Sequence, residues 1–317
     1  MATWVGIDVS KATLDIGWEC EGRKSHKQVP NTKKGFESML AAVPEDASFL
    51  MEATGTYYFN VALHLHREGK HVAVVNPVRI KNHMRAEMSR TKSDKADAHS
   101  IARYGRERQP SAWEPPTREA AQIQQLLAAD LMLTNVMTRC VNMMEAFKCT
   151  EYYSPDAIVE LHEVRLELRA RRRHIQEELE RISKESMGRT IEVLASMPGV
   201  GRASAIRMAA CVGDFKRFDS SRKLVSFLGL SPMTKQSGTS VKSRGHISRM
   251  GGTKVRGVLY MCAMNALQKN DSCKRLWERF KEHKKHGKIA MIAIMNKMIR
   301  QMYSMVINDR LYDPSMA

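Results

Sequence analysis

The chain has 317 residues, enough for two domains and a sizeable hydrophobic core. Lysine and arginine number 51 against 34 aspartates and glutamates, and the net charge of +17 indicates a polyanionic partner, nucleic acid before an acidic membrane surface. No apolar run approaches the roughly 20 residues of a membrane span, and the first ten residues carry no export signal. We therefore expect a cytoplasmic protein without a membrane partner. The six cysteines show no CxxC spacing, so no zinc site is predicted.

The first hundred residues predict a mixed α/β domain. Strands separated by the short spacers of antiparallel hairpins are expected at 3–10, 13–20 and 25–31. A helix at 33–43 follows, and after it a strand, a helix and a strand at 48–53, 57–69 and 71–77. This order favours one mixed sheet flanked by helices.

After Pro115 and Pro116 the pattern becomes helical. Apolar residues recur every seven positions on both sides of a break at 152–157, at Leu126, Leu133, Cys140 and Phe147 before it and at Leu161, Leu168, Ile175 and Ile182 after it. This pattern predicts an antiparallel helical hairpin or coiled-coil arm. The charged faces of these helices are consistent with three roles: exposure to water, contact with another subunit in an oligomer, or a rigid lever that connects two domains.

The last third predicts a second helical region. The letters PGVG separate two helix-like runs within 194–210, a further helix runs into a turn at 218–232, and 258–306 are helical with one interruption at 284–288. The expected fold class is therefore α/β plus all-α. The expected domains are a mixed-sheet domain, a helical arm and a helical C-terminal domain, at 1–115, 116–190 and 191–317.

Four carboxylates could converge on a metal ion. Asp94 and Asp97 stand three apart at a predicted helix start, where acidic residues also complement the helix dipole. Asp8 lies in an otherwise apolar strand, where an unpaired carboxylate is costly, and Glu52 ends the fourth strand. If the first and fourth strands are neighbours and the helix crosses their ends, the four acids meet as in RNase H-like nucleases, which hold two Mg²⁺ ions about 4 Å apart. Asp15 is a rival for Asp8, and each acid alone could be a surface charge.

The stretch MPGVGRASA at 197–205 resembles a helix-hairpin-helix element. Glycines at a helix start present backbone N–H groups that can bind phosphate. Gly199, Gly201 and Arg202 are therefore predicted to contact nucleic acid, with an ordinary glycine-rich turn between packed helices as the alternative.

Residues 231–257 form a basic, glycine-rich and serine-rich segment without an acidic residue. Such a segment suits a phosphate backbone, although flexible loops have the same composition. The predicted contacts are Lys235, Lys242, Arg244, Arg249, Lys254 and Arg256. Its serines cannot be ranked by composition, since a nucleophilic serine needs an activating partner or a metal-activated target.

Several blocks of sequence together resemble a known family. In chain order they are GIDVSK (6–11), MEATGTY (51–57), VVNPVRIK (74–81), TKSDKADAHSIA (91–102), MPGVGRASA (197–205), FLGLSPMTKQSG (227–238) and GHISRMGGTKVRGVLY (245–260). Over residues 3–306 the chain resembles the DEDD-type insertion-sequence transposases, the insertion-sequence one-ten family, which includes the Piv-type DNA invertases.

The resemblance implies an RNase H-like (RuvC-like) domain, a coiled-coil connection and a smaller helical transposase domain. It assigns the metal ligands to Asp8, Glu52, Asp94 and Asp97 rather than Asp15, with Mg²⁺ or Mn²⁺ as the ion. The nucleophilic serine, which precedes the glycine of QSG, falls on Ser237. Ser93 stands where the family commonly has threonine, and it keeps a hydroxyl at a helix N-cap.

The resemblance further implies a site-specific DNA recombinase of a prokaryotic insertion sequence. Ser237 would form a phosphoserine link to DNA, and a noncoding bridge RNA would pair with donor and target DNA. The homo-oligomer, a dimer or tetramer, would join the acids of one subunit to the serine of another. The alternatives are a metal-dependent nuclease that does not use the serine, a DNA invertase without an RNA guide, and a non-enzymatic nucleic-acid-binding protein.

Overall fold

The computed structural model describes residues 3–53, 55–86, 93–233, 236–237, 241–242, 246–248 and 253–316, with the backbone alone at 236–237, 241–242, 253–254 and 316. Contacts divide the chain into a first unit that ends at Pro116 and a second unit that begins at Thr117. The further division predicted near residue 190 remains a prediction.

The described part of the first unit contains a five-stranded mixed sheet in the order β3-β2-β1-β4-β5. Its strands are β1 (Trp4–Val9), β2 (Thr13–Cys20), β3 (Arg23–Pro30), β4 (Ser48–Glu52) and β5 (Val72–Val75). The first three strands are antiparallel, whereas β4 lies parallel to both β1 and β5. Glu21 and Gly22 both have positive φ, as a tight hairpin turn between β2 and β3 requires. The predicted mixed sheet is confirmed.

Helices cover both faces of this sheet. They are α1 (Lys33–Leu40), α2 (Tyr58–Arg67), α3 (Pro77–Ala86) and α4 (Asp94–Arg108). Alternation along the strands sends Val5, Ile7 and Phe49 into one core, which also holds residues of α1 and α2. Trp4 and Leu50 lie in a second core with residues of α3 and α4.

Helix α3 was not predicted, because an Asn-Pro pair after an apolar run indicates the end of a strand. The same pair also starts the helix. The Asn76 side chain accepts the amide of Val78 at 2.9 Å, and Pro77 occupies the first position, where a missing N–H does no harm.

Two glycines bring α4 unusually close to the sheet. A Cβ atom added to Gly6 would overlap the Ala98 carbonyl oxygen and the Ala102 amide nitrogen. A Cβ atom on Gly105 would lie 2.5 Å from the Trp4 ring. At Gly6 the backbone of β1 touches the backbone of α4, and at Gly105 the backbone of α4 touches the Trp4 indole ring. These two contacts fix the distance between the strand and the helix.

The second unit begins with two long helices, α5 (Arg118–Lys148) and α6 (Pro155–Ala195), which pack against each other. The connection, residues 149–154, lies three residues earlier than predicted, because Pro155 belongs to the first turn of α6 and Ser154 caps it by accepting the Ala157 amide. Helix α6 is kinked at Met187, whose φ is −144°. Of the predicted heptad positions Cys140 and Ile182 are buried, but Phe147 is 36% exposed, and a coiled coil remains a prediction.

Shorter helices complete the second unit. They are α7 (Arg202–Val212), α8 (Ser221–Phe227), α9 (Thr253–Lys269), α10 (Asp271–Glu282) and α11 (Gly287–Ile307). The prediction of one interruption within 258–306 was wrong, since a second occurs at Asn270, whose side chain accepts amides of Ser272 and Cys273 and so starts α10. Short strand pairs join β6 (Pro232–Met233) to β9 (His246–Ile247), and β7 (Gln236–Ser237) to β8 (Val241–Lys242).

A buried carboxylate ties three of these helices together. Asp130 of α5 is fully buried. Its carboxylate accepts hydrogen bonds from Arg172 Nε at 2.8 Å and from Gln176 Nε2 at 3.0 Å, both on α6, and from Arg207 of α7. Since the charge is fully paired, the burial is tolerated, and the network holds α5, α6 and α7 in one arrangement.

Across the described residues, no helix combines the length and the apolar character needed to cross a lipid bilayer.

We expect Gly6→Ala to destabilise the first unit by about 1–3 kcal/mol, because the added methyl group meets helix backbone that cannot rotate away. Urea unfolding followed by tryptophan fluorescence measures this, since Trp4, Trp18 and Trp113 all belong to this unit. Gly257→Ala is the control, because its methyl group meets nothing within 4 Å. An unchanged unfolding midpoint for Gly6→Ala would contradict the close packing.

We expect Arg172→Ala to lower the stability of the second unit by about 3 kcal/mol, because Asp130 loses a charge partner inside the protein. Arg171→Ala is the matched control: its partner Glu167 is exposed, so the change should stay within about 0.5 kcal/mol. Chemical denaturation followed by circular dichroism compares the two variants. Equal effects would show that the Asp130 network contributes nothing beyond a surface ion pair.

Candidate active site

Residues on one face of β1 contact successive turns of α4. Trp4 contacts Gly105 near the end of the helix, and Gly6 contacts Ala98 one turn from its start. Asp8 is the next residue on the same face, since strand side chains alternate. It therefore lies beside the first turn of α4, which carries Asp94 and Asp97.

The electrostatics of Asp8 agree with this placement. Its pKa is raised above the ordinary value, first by burial and then by the negative charges of Asp97, Asp94 and Asp15, against a smaller lowering by the Val9 backbone amide. A carboxylate that is half-buried among other carboxylates is stabilised by a proton or by a bound cation.

Asp15 lies directly opposite Asp8 on β2. Its carboxylate is already used within the fold, since His26 Nε2 lies 3.0 Å from one oxygen and Gln28 Nε2 donates to the other at 3.0 Å. Asp15 therefore has the partners of a structural acid and is the weaker candidate for a metal ligand.

Glu52 lies on the neighbouring strand. Ile7 of β1 pairs with Met51 of β4 in parallel register, so Glu52 follows one residue later, as Asp8 does on β1. Leu50, two residues earlier, belongs to the core on the α4 side, so alternation directs Glu52 to that side as well. The four predicted acids thus share one end and one face of the sheet.

The first turn of α4 has the expected cap. Ser93 is extended and its Oγ accepts the Ala96 amide at 3.2 Å. The helix therefore begins at Asp94, and both of its acids lie at the positive end of the helix dipole. The serine at this position provides the N-cap hydrogen bond that a threonine would make.

The four acids supply oxygen ligands of the kind that a divalent metal needs. Within the described ranges, no group of three or more His, Cys, Asp or Glu is gathered closely enough to hold an ion. The chemistry still fits, because all four side chains offer carboxylate oxygens, the ligands of hard cations such as Mg²⁺ and Mn²⁺. A cation would also remove the repulsion that raises the pKa of Asp8.

Ser237 lies in the second unit, where its backbone in β7 pairs with Val241 of β8. Lys242 follows in β8, and Lys254 lies in the first turn of α9. Arg256 is half-buried, with Nη1 3.5 Å from the Leu228 carbonyl. The remaining predicted contacts of this segment lie outside the described residues; they are Lys235, Arg244 and Arg249.

The predicted helix-hairpin-helix stretch joins α6 to α7. Gly199 has φ of +99°, and a Cβ atom there would lie 2.7 Å from the Ala266 backbone of α9, so packing explains this glycine. Gly201 is the N-cap of α7 and has open space around it. Arg202 forms an ion pair with Glu180. Contact of these residues with nucleic acid remains a prediction.

One polar groove of the second unit was not predicted. This α11 groove, of about 780 Å³, lies between α8, α10, α11 and the start of β6, and it is lined by Arg222, Val225, Ser231, Pro232, Leu276, Ala293, Asn296, Lys297, Arg300, Gln301 and Ser304. The signal available in the sequence was a cluster of polar residues within the otherwise apolar run 289–306.

Comparison with known proteins places the chain among transposases. The model described as "Transposase IS116/IS110/IS902 family" matches residues 191–278, and the model of DEDD transposases of the IS110 type, described as "Transposase", matches residues 5–147. The pilin gene-inverting protein of Moraxella bovis is 26% identical, with 98% of each chain covered.

Several relatives carry insertion-sequence names. The transposase for insertion sequence element IS1328 of Yersinia enterocolitica is 23% identical over 94% of this chain and 95% of its own. The transposase for insertion sequence element IS1111A of Coxiella burnetii is 30% identical over 43% of this chain and 38% of its own. Both family models and these full-length similarities show that the chain belongs to the IS116/IS110/IS902 family of transposases.

Proposed function

We propose that this transposase is a site-specific DNA recombinase that cuts and rejoins strands through a serine–phosphate link. Asp8, Glu52, Asp94 and Asp97 are the proposed catalytic acids and Ser237 is the proposed nucleophile. The observation that carries the proposal is the approach of Asp8 to the acidic first turn of α4, where burial and then the charges of Asp97 and Asp94 raise its pKa.

An RNase H-like (RuvC-like) assignment of the first unit is part of the proposal. Three antiparallel strands followed by two parallel ones, in the order β3-β2-β1-β4-β5, support it. So do the positions of the acids on β1, at the end of β4 and in the first turn of α4.

The four acids would hold Mg²⁺, with Mn²⁺ as an alternative. When bound, the cation supplies positive charge to the scissile phosphate and polarises its oxygens. To bind the cation, the four carboxylates must be ionised at the same time. Their mutual repulsion opposes this in the absence of a cation.

Ser237 is proposed to attack the phosphorus atom of a DNA phosphodiester. A bond forms between Ser237 Oγ and phosphorus, the bond from phosphorus to one deoxyribose oxygen breaks, and that oxygen leaves as a hydroxyl with the serine proton. In the reverse step the hydroxyl of an exchanged strand attacks the phosphoserine and returns a proton to the serine. Each step forms one phosphoester bond and breaks one, so the number of these bonds is conserved and rejoining needs no ATP.

Nucleic-acid contacts and assembly complete the proposal. Donor and target DNA would be paired by a noncoding bridge RNA, with the backbone held by Gly199, Gly201, Arg202 and the predicted cations of residues 235–256. The charge of +17 supports a polyanionic partner. A homo-oligomer with composite active sites is supported by apolar side chains exposed on the α5–α6 hairpin, including Tyr152 at 90%, Tyr153, Val159 and Leu166. The proposed setting is the cytoplasm of a prokaryote.

DNA inversion is the second candidate function. It is favoured by the similarity to the pilin gene-inverting proteins, which extends over 98% of both chains. An invertase would use the same acids and serine, without the bridge RNA. Recombination assayed with and without RNA transcribed from the gene's own flanking DNA separates the two.

We expect Ser237→Ala to abolish strand joining and the covalent protein–DNA adduct, by on the order of 10³-fold or more, because the attacking oxygen is lost. The adduct is measured by denaturing gel electrophoresis of the protein with DNA that flanks the gene and RNA transcribed from it. Ser240→Ala is the control within the same segment and should keep both activities. Joining by Ser237→Ala, or the absence of an adduct with the parent protein, would exclude the serine mechanism.

We expect Asp8→Asn to abolish activity and yet to stabilise the metal-free protein at pH 7. The folded-state pKa of Asp8 is raised, so its stabilising contribution is present at low pH and is lost as the pH rises through that pKa. The amide removes the penalty of the charged form.

Urea unfolding in chelator tests this expectation, with Asp15→Asn as the control. Asp15→Asn should lower the unfolding midpoint, because a neutral amide pairs less well with His26 and Gln28. Added Mg²⁺ should raise the midpoint of the parent but not that of Asp8→Asn. A lower midpoint for Asp8→Asn at pH 7 would identify Asp8 as a structural acid.

A further inference from the structure

Helix α11 is an apolar helix with one polar stripe. Its methionines and isoleucines fill the core of the second unit. From residue 289 to 306, the polar residues other than Tyr303 are Asn296, Lys297, Arg300, Gln301 and Ser304. Spacings of four and five put them on one face, and all five line the α11 groove. Solvation alone explains a polar stripe on an amphipathic helix, so a binding surface is indicated by the groove that these residues line and not by the stripe itself.

The groove is positively charged. Arg222 of α8 and Lys297 and Arg300 of α11 line it, and no acidic residue is among the described residues that line it. Lys297 Nζ donates a hydrogen bond to the Ser272 carbonyl at 3.3 Å, and this contact holds the ammonium group at the groove wall. Three cations around a groove of about 780 Å³ attract an anionic ligand.

Two amide groups in the groove have unused hydrogen-bonding atoms. Asn296 Oδ1 and Gln301 Oε1 are buried and have no hydrogen-bond partner among the described residues. Gln301 Nε2 donates to Ser272 Oγ at 3.4 Å, and this hydrogen bond orients the Gln301 amide. An unpaired buried acceptor is costly, unless a ligand brings a donor to it. The exocyclic amino groups of nucleic-acid bases are such donors.

We propose that the α11 groove binds one strand of nucleic acid, with phosphates on Arg222, Lys297 and Arg300 and, once both amide side chains have turned towards the groove, a base edge on Asn296 and Gln301. An acidic peptide would satisfy the cations, but its carboxylates would meet two more acceptors at the amides. The inference rests on the proposed function for its relation to catalysis. Ser231 lines the groove six residues before Ser237, so a bound DNA strand would be led to the serine and a bound RNA strand would be held beside it.

The charge of the groove is tested by the double variant Arg222→Ala/Arg300→Ala. Its control is Arg275→Ala/Arg279→Ala, which removes two exposed cations from α10 outside the groove. The probes are fluorescent single strands of about 16 nucleotides, one of DNA and one of RNA with the same sequence, titrated into full-length protein in chelator. Anisotropy gives the affinity at salt concentrations between about 50 and 200 mM.

We expect the groove variant to lose about 10- to 100-fold in affinity at the lowest salt. The slope of log K against log salt should fall in magnitude by about 1.4, since each phosphate contact of a single strand contributes about 0.7. The control variant should match the parent in affinity and in salt slope. The probe with the larger loss identifies the bound strand as DNA or RNA. Equal behaviour of the two double variants on both probes would overturn the proposal.

Base contact is tested by Asn296→Leu, which keeps the size of the side chain and removes its amide. The variant should bind a mixed-sequence strand about 5- to 100-fold more weakly, with an unchanged salt slope, and should bind an abasic strand as well as the parent does. A urea midpoint no lower than that of the parent shows that the variant is folded, since the change removes a costly unpaired acceptor. Equal losses on both strands, or no loss on either, would contradict base reading by this amide.

These binding measurements are independent of strand cleavage. If Ser237→Ala keeps joining activity while the groove variants lose affinity, the proposed mechanism fails and the groove inference stands. If Ser237→Ala loses its adduct while Arg222→Ala/Arg300→Ala binds like its control, the groove inference alone fails.

Discussion

The backbone contact between β1 and α4 is the constraint on which the candidate site depends. Gly6 leaves room for the Ala98 and Ala102 backbone, and its cross-strand neighbour Gly17 leaves room for His99, whose amide nitrogen a Cβ atom would approach to 2.9 Å. A side chain at either glycine would push the helix outward, and the first turn of α4 would move away from Asp8. The separation of the acids is therefore set by main-chain atoms, which adjust less readily than side chains.

The same arrangement is unfavourable for the fold in the absence of a cation. Asp8 is half-buried among like charges, and the strand ladder fixes Asp15 directly opposite it. The sheet tolerates this because its other face is closed by a continuous apolar core with α1 and α2. Stability is thus supplied on one face of the sheet, and repulsion is confined to one end of the other, as is common at functional sites.

Much of the first unit could be predicted from local sequence, because strand alternation, short hairpins and a capped helix are local patterns. The shared location of Asp8 and Glu52 followed from one topological assumption, that β1 and β4 are neighbours, and the sheet order confirms it. The Asp130 network could not be predicted, because it is not a local pattern. The partners of Asp130 lie 42, 46 and 77 residues away, so its burial depends on helix packing that no local spacing reveals. The stripe on α11 is visible in the sequence, but only packing shows that its members face one groove.

The α5–α6 hairpin is unevenly anchored along its length. The Asp130 network and the buried residues from Leu179 onward secure its base. Nearer the turn Cys140 and Met144 of α5 are buried, whereas residues 155–178 of α6, all of them described, include none that is buried. Local opening is least costly where few apolar contacts are lost. Backbone amides should therefore exchange with deuterated solvent progressively faster from the base towards the turn at residues 149–154. Such a gradient lets the far end change shape on meeting another molecule while the anchored end keeps its geometry.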